Sequence, residues 1–548
     1  MGIEEKNQPQ PFGRTVITTD VREITSANVT QVLQDAYNYH MRNREQIKYL
    51  IEYERGNQPL MREKKIRDDI DIKIVDNLAN EIVEFKTGYK WGNPITYKQR
   101  ASADAVDADM QQDNKGIAEI NEMLNEENAF AKDTTLAYYV EVCGIGYQMV
   151  DIKRRVRGIS VFDLETLNPL NTFIVRDNTV HHYPLMAVTY TTRDNGNTYF
   201  TCITDTTVYR IKNMVEKVDG KDETVYVFAE RNGEANPFGM VNIVEFERSV
   251  DRMGCFERQI SDMDNVNILV SDFANNVAQD TQSLWWGDNL DLPPKKNDDG
   301  EIIGYTIPRS GGWILTDSGE QKKASVQPLV IQTQYGGILN NIKYRRDVIK
   351  QKCCVPIQAS AGGGSTGTAM SMSSGWDTAE VQAQKESSLM IRGKMDIAEL
   401  ILIAVNESTD TPEDSAVLDL HLSDIQPNIL RDRNYDMATK ANTLAVLMNS
   451  GVAPEHAFAV IKLFSDVNLV VNDSKPYIDL YYEAKKAAIS RTQMGENTAG
   501  DVNVDDEGNV KQEKTGLQDA SMQASNSPII GSTNTTTGGR HGAGVTKS

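Results

Sequence analysis

The chain reads as an α+β protein built in several segments. Three features predict this: long stretches with apolar residues at helical spacing, a block of short β-branched runs, and 548 residues, more than one hydrophobic core normally serves. Hydrophobic residues at 39% and aromatics at 7% leave room for folded cores beside much polar surface. The net charge of -21 argues against a protein that coats nucleic acid with a basic face, so any DNA contact has to be local or weak. Five scattered cysteines suit reduced thiols and a cytosolic setting better than a disulfide framework. The polar start MGIEEKNQPQPFGR is unlike a secretory signal, and the most apolar run, residues 397–405, is too short to span a bilayer. No membrane partner is expected.

Between residues 29 and 53, Val32, Leu33, Ala36, Tyr37, Ile47, Leu50 and Ile51 recur at helical spacing, and RGNQP ends the pattern. Ile70, Ile74, Leu78, Ile82 and Phe85 predict a second helix over 66–88, stopped by TGYKWGNPITY. An acidic linker at 101–113 precedes helices expected over 115–125 and 128–143. From 146 to 230 the texture turns to YQMVDI, TFIVR, MAVTYTT, TYFTCIT, TVYRI and TVYVFAE, with DNGN and DGKD as turns, which reads as a β-rich insertion.

NPFGMVNIVEFERS then leads into a helix expected over 256–284. Met263, Val266, Val270, Phe273 and Val277 alternate there in steps of three and four, a seam that needs a second helix. At 1.5 Å per residue it would be a rod of roughly 40 Å. Residues 285–330, with DLPPKKNDDGEIIGYTIPRSGGWILT, suggest a small excursion of strands and turns. A second rod over 335–354 carries Tyr335, Leu339, Ile342, Ile349 and Cys353 on one stripe. The glycine- and serine-rich run from Gln358 to Trp376 separates it from a third long helix over 376–405, with Gly393 marking an expected bend. Residues 418–422 suggest a strand, and 434–448 a helix closed by Gly451, with Pro454 opening the next. After residue 490 the chain is too poor in large apolar residues to offset its ordering entropy, so a disordered tail is expected.

Catalytic and cofactor chemistry finds little footing. Gly362 and Gly367 stand in the GxxxxG relation of a phosphate-binding loop, but Thr368 and Ala369 follow where lysine and a hydroxyl are required. Six histidines and five cysteines show no metal-ligand spacing, and adjacent Cys353 and Cys354 read as small packing residues at a helix end. No enzyme, cofactor or metal is expected. On the second rod, Lys343 and Lys350 share one side, as do Arg345 and Lys352, while Arg346 falls within the apolar stripe. Two readings stay open: flanks paired with Asp262, Asp264, Asp272 and Asp280 on the first rod, or contact with a polyanion backbone.

The order of YERGNQP, GYKWGNPI, NPFGMVNIVEF, DNVNILVSDFANNV and GGGSTGTAMSMSSGW resembles the portal proteins of tailed bacteriophages, specifically the long-tailed phage portal family, from about residue 29 to 488. The resemblance implies an elongated subunit with a mixed wing, two-helix stem, small β-containing clip, tunnel loop backed by a long helix, and helical crown. Its segments would be an N-terminal arm (1–28), wing (29–254), first stem helix (255–284), clip (285–330), second stem helix (331–354), tunnel loop (355–375), long helix and wing return (376–450), crown (451–489) and tail (490–548).

It further implies a homo-oligomeric ring of about twelve subunits at a capsid vertex of the virion, assembled in the host cytoplasm. The partners would be double-stranded DNA passing without sequence specificity, the terminase, the head-tail adaptor and the major capsid protein. The DNA-channel loop would comprise Ala359, Ser360, Ala361, Gly362, Gly363, Gly364, Ser365, Thr366, Gly367 and Thr368. The stem's basic residues would be Lys343, Arg345, Arg346, Lys350 and Lys352, and the clip would meet partners through Trp285, Trp286, Lys295, Lys296 and Trp313. The alternative is another phage connector or capsid-associated structural protein without a DNA channel.

Overall fold

The computed structural model describes residues 13–60, 70–100, 115–194, 196–218, 221–230, 233–281, 284–288, 294–305, 325–329, 335–357, 375–431 and 437–461, with isolated positions between 470 and 483. It is a mixed helix and sheet structure in two compact units, Met1–Asp432 and Arg433–Ser548. The acidic linker, the glycine-rich run and the tail expected after residue 490 lie outside the described residues.

In the first unit, β1 (Ile17–Thr19) precedes α1 (Val29–Glu54), α2 (Leu78–Trp91), β2 (Thr96–Gln99), α3 (Lys115–Glu126) and α4 (Ala129–Cys143). The β-rich block follows as β3 (Ile145–Ile152), β4 (Phe162–Leu167), β5 (Thr172–Asp177), β6 (Pro184–Thr192), β7 (Thr198–Thr204), β8 (Thr207–Val218), β9 (Lys221–Phe228), β10 (Glu234–Ala235) and β11 (Ile243–Glu247). One sheet has the order β1-β5-β6-β7-β8-β10, with β9 also on β8, and a smaller one has β11-β3-β4. α1 lays Val29, Val32, Leu33 and Ala36 against the large sheet, while its second half joins Leu78, Ile82, Tyr147 and Ile243 in another core.

The rods are α5 (Ile260–Thr281) and α6 (Tyr335–Lys352). Residues 257–259 form a 3-10 turn, and Leu284 already belongs to the next strand, so the first rod is shorter than expected. Between them, β12 (Leu284–Asp288) pairs antiparallel with β15 (Ser325–Leu329), and β13 (Pro294–Lys296) with β14 (Ile302–Tyr305). The long helix is α7 (Trp376–Glu407). It runs unbroken through Gly393, where an added Cβ would lie 2.6 Å from the Phe246 ring. This glycine admits β11 against the helix. The strand expected at 418–422 is instead two 3-10 turns, 416–419 and 422–424, because Ser415 and Asp424 cap those turns locally. The strand comes just after, as β16 (Ile425–Asn428) on β2. In the second unit, α8 (Met437–Asn449) and α9 (Pro454–Ile461) pack on each other, and Gly451 at φ +86° turns the chain between them.

The largest departure from the expected elements concerns residues 70–77, which are not the first turns of a helix. Asn267, Ser271 and Asn275 occupy one fully buried line along α5, and their side chains take the place of a neighbouring strand. Asn275 accepts from Ile72 N (2.9 Å) and donates to Ile72 O (2.8 Å); Ser271 does the same with Ile74 (3.0 and 3.2 Å); Asn267 accepts from Asp76 N (2.8 Å). Helical bonds for 72–76 are thereby replaced by bonds supplied from about 200 positions away, and α2 begins only at the Asn77 cap. Changing Asn267→Leu, Ser271→Val and Asn275→Leu together is expected to remove hydrogen-exchange protection from the amides of residues 72, 74 and 76. The loss should be about 1 kcal/mol per bond, with α5 itself still protected. Unchanged exchange at those three amides would refute this role.

Candidate functional site

The two rods run antiparallel. The start of α5 meets the end of α6 through Asp262 and Lys352 (2.7 Å), and its later half meets the start of α6 through an edge-on contact of Phe273 with Tyr335. Met263, Val266, Ile349 and Cys353 close the buried end of the seam. Farther along, Val277 and Leu339 are exposed, at 38% and 49%, so the predicted stripe is only half covered among the described residues. The β12–β15 pair lies where the chain leaves one rod and returns to the other, with Trp285 opposite Pro328 and Trp286 opposite Gln327. Lys295 and Lys296 are exposed on β13. Trp313 lies outside the described residues.

The basic residues of α6 divide into two groups. Arg346 reaches Asp76 (3.2 Å) and Glu81 (3.5 Å), Lys350 reaches Glu81 (2.5 Å), and Lys352 reaches Asp262. Of the four aspartates expected as partners, Asp262 serves as such, while Asp264 accepts from the Tyr53 hydroxyl at 2.8 Å. The other counter-charges come from the 70–91 stretch. Among the described residues, exposed Arg345 donates to Asn341 Oδ1 (3.2 Å) and makes no ion pair, and exposed Lys343 makes none either. Because these groups are solvent-accessible, Lys343→Gln and Arg345→Gln should each change the unfolding free energy by less than about 0.5 kcal/mol in urea titrations. Lys352→Gln should cost at most about 1 kcal/mol, less at high salt. A larger, salt-independent loss would contradict this assignment.

All ten residues expected to form a channel loop, Ala359 to Thr368, fall within 358–374, outside the described residues. The structure defines the two ends of that run. Val355 N donates to Lys350 O (2.8 Å), and Val355 and Cys353 are buried. On the other side Gly375, at φ +87°, opens α7, and Trp376 stands edge-on to Phe85 and Tyr89, 5.8 Å from each. Pro356 Cα lies 4.0 Å from where a Cβ on Gly375 would stand, so the run leaves and re-enters the fold at one place. Neither this closure nor the Trp376 anchor is visible in the sequence, because Phe85 and Tyr89 lie almost 300 positions away.

Behind this point lies a buried ionic frame. Glu386 on α7 accepts from Lys90 of α2 and from Arg248 (2.6 Å); Glu141 of α4 pairs with both cations as well. Burial alone would raise the Glu386 pKa, but Lys90 and Arg248, with Lys86, hold it down to about 2. About two turns farther along α7, Lys394 reaches Asp133 (2.6 Å) and Gln148 (3.0 Å). Four segments far apart in sequence are thus fixed to one helix. The Cys353 thiol is pushed up to about 11 by burial, and burial also raises Cys255, so neither is a thiolate at neutral pH. His40, buried against Phe173, is lowered to about 4 and stays neutral. Among the described residues, no group of three metal-ligating side chains comes together, and no helix is long and apolar enough to cross a membrane.

A family model described as phage portal protein, SPP1 Gp6-like, matches residues 33–489. No curated protein matches the chain.

Proposed function

The chain belongs to the SPP1 Gp6-like family of phage portal proteins, a structural, non-enzymatic family, and from that premise we propose that it forms a ring at the capsid vertex through which DNA is packaged and later ejected. The observation that carries the reading is the run 358–374. It joins the end of a two-helix rod to the start of the longest helix, its ends meet at Pro356 and Gly375, and residues 359–368 contain no Lys, Arg, Asp or Glu. An uncharged loop on a rigid base can follow a moving polyanion without strong ion pairs. About twelve copies would carry on the order of -250 charges, which disfavours tight retention of DNA.

The half-covered seam supports the ring itself. Val277, Leu339 and Tyr344 are exposed on the rods, and in a head-to-tail ring a neighbouring subunit can supply the facing surface. The β12–β15 and β13–β14 module, with Trp285, Trp286, Lys295 and Lys296, would be the surface that meets the terminase and then the head-tail adaptor. The wing and crown would face the major capsid protein. Native mass spectrometry and class averages of the purified protein test the reading: the expected result is a ring with a central opening and no ATP turnover. A stable monomer under assembly conditions, or specific ATPase activity, would overturn it. A ring without an opening would favour a capsid-associated connector that conducts no DNA.

A further inference from the structure

A cleft of about 320 Å³ opens between α2, the end of α6, the first half of α7 and the turn leading into α5. Its charged lining is almost wholly cationic: Lys86, Arg248, Arg258, Lys352 and Lys385 stand around a single carboxylate, Asp251. Most of these charges are already matched. Arg248, with Lys90 beneath it, is balanced by Glu141 and Glu386; Arg258 pairs with Asp251, and Lys352 with Asp262. Six cations thus meet four carboxylates, and the two left over are Lys86 and Lys385. Among the described residues, neither ammonium has a hydrogen-bond or ion-pair partner.

Lys385 is exposed, but Lys86 is only 5% exposed. Its one nearby counter-charge is Glu386, which Lys90 and Arg248 already share, so the Lys86 ammonium lacks an ion pair of its own and an anion in the cleft would complete it. Cys255 and Cys353 also line the wall, and their raised thiols add no negative charge.

We propose that this cleft is a phosphate-binding site in which Lys86 and Lys385 supply the two positive charges. The double surplus of charge suits a phosphate group better than a single carboxylate. The phosphate is either free or part of a nucleic-acid backbone. The site stands on this cleft alone and does not require the ring.

The test uses the full-length protein in chloride buffer, titrated with inorganic phosphate by ³¹P NMR and with a short DNA duplex by fluorescence anisotropy. Losing one charge-assisted contact should weaken binding by about tenfold. Lys86→Met, which keeps the buried stem without its charge, and Lys385→Gln, an exposed change that leaves the core intact, should each show that loss. Equal loss with both probes, or with DNA alone, assigns the ligand to a phosphodiester backbone; loss with inorganic phosphate alone assigns it to the free anion. Saturable binding that survives in Lys385→Gln and in any folded Lys86→Met protein overturns the proposal, as does the absence of saturable binding by either probe.

Discussion

Glu386→Gln is expected to lower the stability of the first unit by about 3–5 kcal/mol at neutral pH, the cost typical of leaving buried charge uncompensated. The glutamine keeps the shape of the side chain but leaves Glu141 alone against Lys90 and Arg248. A second variant separates charge balance from packing: Lys90→Met with Glu386→Leu removes one charge of each sign and leaves Arg248 matched to Glu141. It should therefore be more stable than Glu386→Gln alone, despite changing more atoms.

The pH dependence has a definite sign. The folded pKa of Glu386 is depressed to about 2, below the ordinary carboxylate value, so its contribution is fully present above the unfolded pKa, about 4.3. It is lost as pH falls from there through about 2. Thermal midpoints of wild type and Glu386→Gln should lie far apart at pH 7 and converge towards pH 2–3. Parallel curves across that range would show that the carboxylate charge is not what the site uses.

What the sequence makes legible here is periodicity. α1, α5, α6 and α7 fall close to their expected positions because each carries an apolar stripe long enough to define its own period, and α4 ends where Gly144 permits φ +80°. The same signal misleads at residues 70–77. Ile70, Ile74 and Leu78 are spaced for a helix, but Asn267, Ser271 and Asn275 capture the backbone in an extended form. The sequence shows that capture only as small polar residues every fourth position on α5. Likewise the expected aspartate partners of α6 share the nearest rod, whereas Arg346 and Lys350 turn to Asp76 and Glu81 of another segment. The glycine-rich run is visible as composition, but the packing that holds its C-terminal end is not, since Trp376, Phe85 and Tyr89 become neighbours only through tertiary packing.

Gly362→Val, Gly363→Val and Gly364→Val in combination are expected to abolish DNA packaging while rings of unchanged mass still form. Three adjacent glycines give this stretch access to backbone conformations with positive φ, and a β-branched residue forced there costs about 1–3 kcal/mol. A loop that must change shape repeatedly as cargo passes would meet that cost at every cycle. Assembly should be spared because the groups that fix the base lie outside the substituted stretch: Val355 on Lys350, and Trp376 on Phe85 and Tyr89. A control with Ala at all three positions, still small but less permissive than glycine, should fall between wild type and the valine protein. Packaging assays on purified rings with the motor supplied read the outcome directly. Full packaging by the valine variant would remove the loop from the conduit, whereas loss of the ring itself would make residues 362–364 part of the subunit contact.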